Sequence, residues 1–307
     1  MKIYINKPKE SWVVDRFIDE WKFYNKNSYT SNILFSDIVW IIAPWTWKKI
    51  NKSILKKKKV ICTIHHIDEK KFDEEEQENF RNLEEFVDCF HVISTSTYEQ
   101  VSKYSNKKIY TAPFWANKKL WFEIKDKELL RKKYSLNGES FYVGSFQRDT
   151  EGHDLKSPKL SKGPDQFVEI VKTLKKDKKN LEVLLTGKRR QYLINELKKN
   201  DIPYKYYEMA DFTELNELYN CLDLYIVASR IEGGPQSILE SALTNTPIIS
   251  TNVGIASEIL HSDAIFNMDN YKKSKPNNKH ASKKVEKYTI PAGFNKFNEM
   301  FKEVYES

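Results

Sequence analysis

Two glutamates separated by seven residues are the positions of this chain best suited to chemistry. The residues from the first to the second are Glu232, Gly233, Gly234, Pro235, Gln236, Ser237, Ile238, Leu239 and Glu240. Apolar runs at residues 222–228 and 247–249 flank them, and this order predicts strand, glycine turn, helix and strand. Such a turn exposes backbone N–H groups and a helix N-terminus at the carboxyl edge of a parallel sheet, where anions bind. Carboxylates on both sides suit a ligand with hydroxyls and phosphates, such as a nucleotide-sugar.

Both glutamates also have a purely structural interpretation. Ser237 followed by Glu240 fits a capping box, in which the carboxylate satisfies N–H groups at the start of a helix. Glu232 could be a surface carboxylate beside a loop. The spacing alone leaves these alternatives open.

Composition indicates a folded chain long enough for two domains. The 307 residues are 40% hydrophobic, and no run approaches the eighteen apolar residues of a membrane span. The first residues read as a strand rather than a signal peptide. Cys62, Cys89 and Cys221 lie singly in apolar runs, so we expect reduced core thiols and a cytoplasmic location.

The net charge of +8 comes mostly from lysine. A basic balance can attract phosphorylated donors, anionic membranes or nucleic acid. No nucleic-acid-binding signature accompanies it, so no nucleic acid partner is expected. Peripheral contact with the inner face of a membrane stays open.

Apolar runs alternate with amphipathic stretches along the chain, which predicts an α/β fold. The predicted strands are Lys2–Ile5, Asp37–Ile42, Val60–Ile64, Phe90–Ser94, Lys108–Thr111, Phe141–Ser145, Glu182–Thr186, Tyr204–Glu208, Leu222–Ala228 and Pro247–Ser250. Helices are predicted between them, and a last one over Phe294–Tyr305. The charged stretch Asp126–Asn137 is the candidate domain boundary, and the lysine-rich stretch Tyr271–Lys287 reads as a long loop.

The glutamate segment, with Ser229-Arg230-Ile231 before it and Thr246-Pro247 after it, resembles the donor-site signature of the family 4 type of retaining glycosyltransferases. That resemblance implies the GT-B fold, with two Rossmann-like domains whose parallel sheets face each other across a cleft. It implies an acceptor-side domain over residues 1–135, a donor domain over 136–288, and a terminal helix over 289–307 that returns to the first domain.

The resemblance also assigns roles to residues. Glu232 would bind the donor hexose and Glu240 the ribose, with the residues from Gly233 to Ser237 forming the donor turn. Lys162, in a Lys-Gly pair, and Arg148 would balance the diphosphate. The further donor-binding positions are Gly144 and Gly187.

The first domain supplies fewer candidates. His65 follows a predicted strand and, by the resemblance, would orient the donor, although His66 is its immediate neighbour. Trp45 and Trp47 follow another strand end and could stack on an acceptor or simply pack the core. Relatives often have a glycine pair in the first loop. Residues 7–12 have none, so either this loop, with Ser11, contacts the acceptor, or a lysine or Ser11 takes the place of the backbone amides.

We therefore expect transfer of a hexose from a nucleoside diphosphate sugar to a hydroxyl acceptor, with a UDP-sugar favoured over a GDP-sugar. No cofactor and no obligatory metal are expected. An epimerase or a pyridoxal-dependent phosphorylase of the same fold stays open, as does a non-catalytic glycan- or nucleotide-binding protein. The sequence does not specify the sugar, the acceptor or the oligomeric state.

Overall fold

A computed structural model describes residues 1–9 and 13–307, and its contacts divide the chain into two units. The first comprises Met1–Trp115 with Ile290–Ser307, and the second comprises Ala116–Thr289. Each is built on a parallel sheet, of five strands in the first unit and six in the second. The predicted α/β class is confirmed.

The first sheet has its strands in chain order, β1 to β5. The strands are β1 (Ile3–Ile5), β2 (Ile38–Ile41), β3 (Lys59–Ile64), β4 (Cys89–Val92) and β5 (Lys108–Thr111). The helices of this unit are α1 (Val13–Tyr24), α2 (Lys52–Leu55), α3 (Glu74–Glu84), α4 (Thr95–Val101) and, at the end of the chain, the C-terminal helix Asn295–Glu306.

The first unit reverses direction at β1. After α1 the chain pairs Tyr29 with Ile3 on the outer side of β1, then crosses to form β2 on its other side. Helix α1 and the C-terminal helix therefore pack on one face of the sheet, and α2, α3 and α4 pack on the other. Ligands of open α/β sheets bind beyond the carboxyl ends of the strands at such a reversal.

The second sheet has the order β11-β10-β9-β6-β7-β8. Its strands are β6 (Phe141–Ser145), β7 (Leu181–Thr186), β8 (Tyr204–Tyr207), β9 (Leu224–Val227), β10 (Ile248–Thr251) and β11 (Ile265–Phe266). Its helices are α5 (Lys127–Lys133), α6 (Pro164–Asp177), α7 (Gln191–Lys199), α8 (Phe212–Cys221), α9 (Gln236–Leu243), α10 (Ala256–Ile259) and α11 (Asn278–Val285). Strand order reverses between β6 and β9, so the loops after these two strands border the expected ligand site.

The boundary lies between Trp115 and Ala116 rather than after residue 135. The backbone N–H groups of Phe122 and Ile124 donate to the side-chain oxygens of Asn216 and Asn220, at 3.0 and 2.7 Å. These bonds fix the segment to α8 of the second unit. The charged stretch predicted as the domain boundary contains α5, which buries Leu130 and Arg131 and exposes Lys132 and Lys133.

The second unit differs from the sequence prediction at two further places. The predicted long loop Tyr271–Lys287 contains α11, which buries only Ala281 and Val285. A helix that buries only one narrow stripe of residues can carry many lysines, and its amino-acid composition then resembles that of a loop. The two-residue strand β11 is too short to give a periodic signal.

The three cysteines are buried free thiols, as predicted. Within residues 1–9 and 13–307, no helix combines the length and apolar character needed to cross a bilayer.

Candidate functional site

Glu232 follows β9 at the carboxyl edge of the second sheet. Its carboxylate forms an ion pair with the Lys162 ammonium and accepts a hydrogen bond from the Ser229 hydroxyl at 3.1 Å. The Glu232 side chain is only 10% exposed. A carboxylate with this little exposure needs its partners to offset the loss of hydration. The surface-carboxylate alternative for Glu232 is therefore wrong.

Gly163 explains why Lys162 reaches this position. Its φ is +60°, and a Cβ added there would lie 1.7 Å from the carbonyl oxygen of Ala228. Only glycine permits this backbone to approach the end of β9 so closely. The Ser161 carbonyl also accepts hydrogen bonds from the N–H groups of Arg230 and Ile231, at 2.8 and 3.1 Å. The Lys-Gly turn is thus bound through backbone to the segment that carries Glu232.

Gln147 was not assigned a role from sequence, yet it links the two loops. Its side-chain NH2 group donates to the Lys162 carbonyl at 3.0 Å and to the Ser229 hydroxyl at 3.3 Å. Gln147 follows β6, the strand beside the reversal of strand order. That position is the signal that could have identified it.

Glu240 lies in α9 and is buried. Its Oε2 atom accepts a hydrogen bond from the Tyr219 hydroxyl at 3.0 Å. Helix α9 begins after Pro235, with no side-chain hydrogen bond at its cap. Ser237 therefore lies inside the helix, and the capping-box interpretation is wrong. Burial, with the nearby Tyr225 and Glu240, raises the pKa of Tyr219 well above its usual value, so this phenol remains a donor.

The turn between the glutamates packs against the loop after β10. Gly254 has a φ of +53°, and a Cβ added there would lie 2.3 Å from the carbonyl oxygen of Gly233. The Thr251 hydroxyl donates to the Ser229 carbonyl at 2.6 Å. The turn and the first residues of α9 are formed by Gly233, Gly234, Pro235, Gln236 and Ser237.

Gly144 and Gly187 each have a structural explanation. A Cβ at Gly144 would lie 2.3 Å from a methyl group of Leu222, so its absence is explained by packing. Gly187 has a φ of +88°, which favours glycine whatever its neighbours. Their contact with a donor stays a prediction.

Arg148 is exposed, and its Nε–H donates to the Thr150 carbonyl at 2.9 Å. The residues after it form a hairpin in which Thr150 pairs with Pro158. The hairpin brings Lys159 and Arg189 to the same edge, with Arg189 donating to the Gly152 carbonyl at 3.3 Å.

These cations repel one another. Burial, followed by the charges of Lys162 and Arg148, lowers the pKa of Lys159. Burial, followed by the charge of Arg189, lowers the pKa of Arg148. The carboxylates of Glu151 and Glu232 act in the opposite direction on Lys159, as Glu151 does on Arg148, and offset part of this repulsion. An edge on which cations outnumber acids is suited to an anion with several charges, such as a diphosphate.

A buried ion pair between Arg190 and Asp149 fixes the base of the hairpin. The same guanidinium donates to the carbonyls of Ser145 and Thr186, at 2.6 and 2.7 Å. It therefore joins the carboxyl ends of β6 and β7. Sequence analysis missed this pair, because an arginine in a Lys-Arg-Arg run gives no sign that it is buried.

In the first unit, His65 follows β3 and lies between two aromatic rings. Its ring centroid is 5.6 Å from that of Trp45 and 5.8 Å from that of Phe114. Its Nε2–H donates to the Ile42 carbonyl at 2.9 Å, and burial lowers the pKa of His65 to about 4. His65 is therefore neutral at pH 7, and Nδ1 is left as the acceptor of the ring.

The other predicted residues of the first unit have different positions. Trp45 is 48% exposed, but Trp47 is 5% exposed and packs against Phe86. Trp47 is thus a core residue, and the prediction that it faces an acceptor is wrong. His66 is exposed beside His65. Ser11 lies outside the described residues.

Comparison with known proteins identifies the fold. The family model described as glycosyl transferases group 1 matches residues 156–289, all in the second unit. No curated protein matches the sequence at the threshold applied.

Several solved structures are similar over nearly the whole chain. Sucrose-phosphate synthase from Thermosynechococcus elongatus is 13% identical, with a TM-score of 0.69, and 98% of this chain and 81% of that chain are covered. Anabaena HepE in complex with UDP and glucose is 11% identical, with a TM-score of 0.75 and coverage of 99% and 100%. A glycosyltransferase from Rickettsia africae is 16% identical, with a TM-score of 0.64 and coverage of 98% and 84%.

At these identities the similarity establishes the fold. The GT-B prediction is confirmed, and the chain has a GT-B fold whose second unit matches the group 1 glycosyl transferases over residues 156–289.

Proposed function

We propose that this protein is a retaining glycosyltransferase of the family 4 type. It transfers a hexose or hexose derivative from a nucleoside diphosphate sugar to a hydroxyl of a glycan, a lipid-linked acceptor or a small molecule. The observation that carries the proposal is the position of Glu232 and Glu240 on either side of one glycine turn, with Lys162 held against Glu232.

The proposed donor orientation follows from the charges. Glu240, held by Tyr219, receives the ribose hydroxyls. Arg148 and Lys162 face the diphosphate, and the N-terminus of α9 adds its dipole. Glu232 then accepts hydrogen bonds from hexose hydroxyls.

In the transfer step, the bond from the anomeric carbon to the diphosphate oxygen breaks. The acceptor oxygen bonds to the same face of that carbon, and its proton passes to the departing phosphate oxygen. The cations stabilise the negative charge that develops on the leaving group, which supplies most of the rate enhancement. We propose no protein nucleophile and no obligatory metal.

A UDP-sugar is our preferred donor. The solved structures of the similar protein HepE contain UDP with glucose, or UDP-glucose. We further propose a role in polysaccharide or glycoconjugate synthesis in the cytoplasm.

Thermal unfolding with a panel of nucleotide-sugars tests the proposal directly. A ligand that binds only the folded protein stabilises it by about 2.7 kcal/mol at one hundred times its Kd. We expect a UDP-hexose to raise the Tm more than UMP or a GDP-hexose does. If no nucleoside diphosphate sugar raises the Tm, the proposal is wrong.

The donor found in this way should then be incubated with and without acceptors. Transfer with the anomeric configuration kept, read by NMR of the product, supports the proposed reaction. Conversion of the donor without an acceptor would instead indicate an epimerase. Binding with no turnover would indicate a non-catalytic protein.

A further inference from the structure

The first unit exposes two adjacent apolar side chains on a fixed turn. Leu34 and Phe35 are 62% and 74% exposed, in the 3-10 helix Ile33–Phe35 that precedes β2. The Asn32 side chain accepts a hydrogen bond from the Leu34 N–H at 2.9 Å, and the Lys58 ammonium donates to the Leu34 carbonyl at 2.9 Å. The turn is therefore held in place with its apolar side chains directed into solvent.

Exposed lysines lie at the same edge of the sheet as this pair because of the topology. The segments before β1, β2 and β3 all lie at the amino-terminal edge of the first sheet. Helix α1 starts from the carboxyl edge and runs back along the sheet, so it ends at the amino-terminal edge as well. The ammonium of Lys2 donates to the Asn27 carbonyl at 2.8 Å, which joins the first segment to the residues after α1. We call the exposed side chains of this edge the amino-edge patch, and they are Lys2, Phe23, Lys26, Leu34, Phe35, Lys56 and Lys57.

The amino-edge patch is strongly positive. Its four lysines are accompanied by Asp37, whose carboxylate accepts a hydrogen bond from the Lys2 backbone N–H at 2.6 Å. The Lys26 ammonium lies 5.2 Å from the centroid of the Phe23 ring. Apolar side chains that share an exposed edge with several lysines fit a partner with an apolar interior and an anionic surface.

We propose that the amino-edge patch docks on an anionic lipid bilayer. Leu34 and Phe35 would enter the boundary between headgroups and acyl chains, while the lysines bind the anionic headgroups. A second copy of this chain is disfavoured as the partner, because two identical positive surfaces repel each other. This combination of a small apolar insertion with several cations is sufficient for reversible attachment.

The patch lies at the opposite end of the first sheet from His65 and Trp45. Those residues follow the carboxyl ends of β3 and β2, whereas Leu34 and Phe35 precede β2. Docking therefore leaves the candidate ligand edge of the first unit uncovered. The inference does not depend on the proposed transferase activity.

Sedimentation with lipid vesicles tests the proposal. The full chain should bind vesicles of phosphatidylglycerol and phosphatidylcholine, and bind pure phosphatidylcholine at least about tenfold more weakly. The double variant Leu34→Ser/Phe35→Ser should reduce the partition coefficient about tenfold or more. Lys56→Ser/Lys57→Ser should cause a similar loss, and 0.5 M NaCl should weaken wild-type binding.

Matched variants in the second unit serve as controls. Leu129 is also 62% exposed, and Lys176 and Lys179 are exposed on another lysine-rich surface. Leu129→Ser and Lys176→Ser/Lys179→Ser should bind vesicles as the wild type does, and circular dichroism should show that all variants are folded.

Three outcomes would overturn the proposal. The first is wild-type protein that ignores anionic vesicles, and the second is an equal loss in the control variants. The third is a concentration-dependent dimer, measured by sedimentation velocity without lipid, that Leu34→Ser/Phe35→Ser abolishes. That result would assign the patch to a second copy of the chain.

Discussion

At the carboxyl edge of the second sheet the candidate site residues Glu232, Lys162 and Arg148 are charged, whereas the candidates at that edge of the first sheet, His65 and Trp45, are neutral. Glu232 is paired with Lys162, and the Arg148 guanidinium donates to the Thr150 carbonyl on the loop after β6. In the first unit, His65 is neutral and lies beside the ring of Trp45. One edge is suited to phosphates and the other to hydroxyl groups and sugar faces. The difference indicates a division of work between two sheets of similar construction.

The largest expected effect follows from removing the paired charges of the second unit. Lys162→Ala and Glu232→Ala should each reduce kcat for sugar transfer at least about 100-fold, because the leaving group or the hexose loses its charged partner. Lys156→Ala, an exposed lysine of the hairpin, should retain wild-type rates. Near-normal turnover in both site variants would remove the chemical basis of the comparison.

The neutral state of a buried histidine in the first unit can be tested through the pH dependence of the free energy of unfolding. His91 is buried, its Nε2–H donates to the Ala112 carbonyl at 2.8 Å, and burial lowers its pKa to about 3. The unfolded chain binds a proton near pH 6.5, so below that value the unfolded state gains protons that the folded state excludes. This group should lower the free energy of unfolding by about 2 kcal/mol between pH 7 and pH 5.

Urea unfolding of the wild type and of His91→Gln at both pH values isolates that contribution. The variant is less stable at pH 7 because the Thr63–His91 hydrogen bond is altered, but its stability should fall less on acidification. Equal losses in the two proteins would show that His91 is not held neutral. NMR titration should likewise find His65 uncharged down to about pH 5.

A smaller effect is expected from the support of Glu240. Tyr219→Phe removes the hydrogen bond to its carboxylate and keeps the ring. We expect about a tenfold higher Kd for UDP, since a hydrogen bond to a charged group contributes about 1.5–3 kcal/mol. In the same variant, kcat at saturating donor should change little.

The wild type should also prefer UDP to 2′-deoxy-UDP more strongly than Tyr219→Phe does. Tyr207→Phe is the matched control, because its hydroxyl donates to the Tyr134 carbonyl in the same unit. An equal loss in both variants would mean that Tyr219 acts only on stability.

The smallest effect should come from the exposed tryptophan of the first unit. Trp45→Ala should raise the acceptor KM about threefold, as expected for one lost stacking contact of about 0.5–1 kcal/mol, with the donor Kd unchanged. Trp47→Ala, at a buried position, should instead lower stability. An altered donor Kd in Trp45→Ala would place this ring on the donor rather than the acceptor.

The sequence predicted those structural elements whose positions are determined by local patterns. Strands Lys108–Thr111 and Phe141–Ser145 were located to the residue, because apolar periodicity and flanking turns define them. The Lys162-Gly163 turn was singled out by its motif. The reason why a glycine follows Lys162 is seen only in the three-dimensional structure, where the Gly163 backbone lies against the carbonyl of Ala228.

The remainder depends on contacts between distant residues. Tyr219 reaches Glu240 from another helix, and Arg190 is buried although its two neighbours before it are basic. Trp45 and Trp47 are two residues apart and equal in type, yet the 3-10 helix over Pro44–Lys49 exposes one ring and buries the other. No single-residue pattern encodes these outcomes.

The backbone anchoring of the Lys-Gly turn also has a consequence for loop evolution. Lys162 owes its position to Gly163 and to the Ser161 carbonyl, both downstream of the hairpin. The tip of the hairpin, from Gly152 to Lys156, is solvent-exposed and can lengthen, shorten or be exchanged without displacing the ammonium group. This segment is therefore where an engineer can graft a new loop while the Lys162–Glu232 pair stays in place.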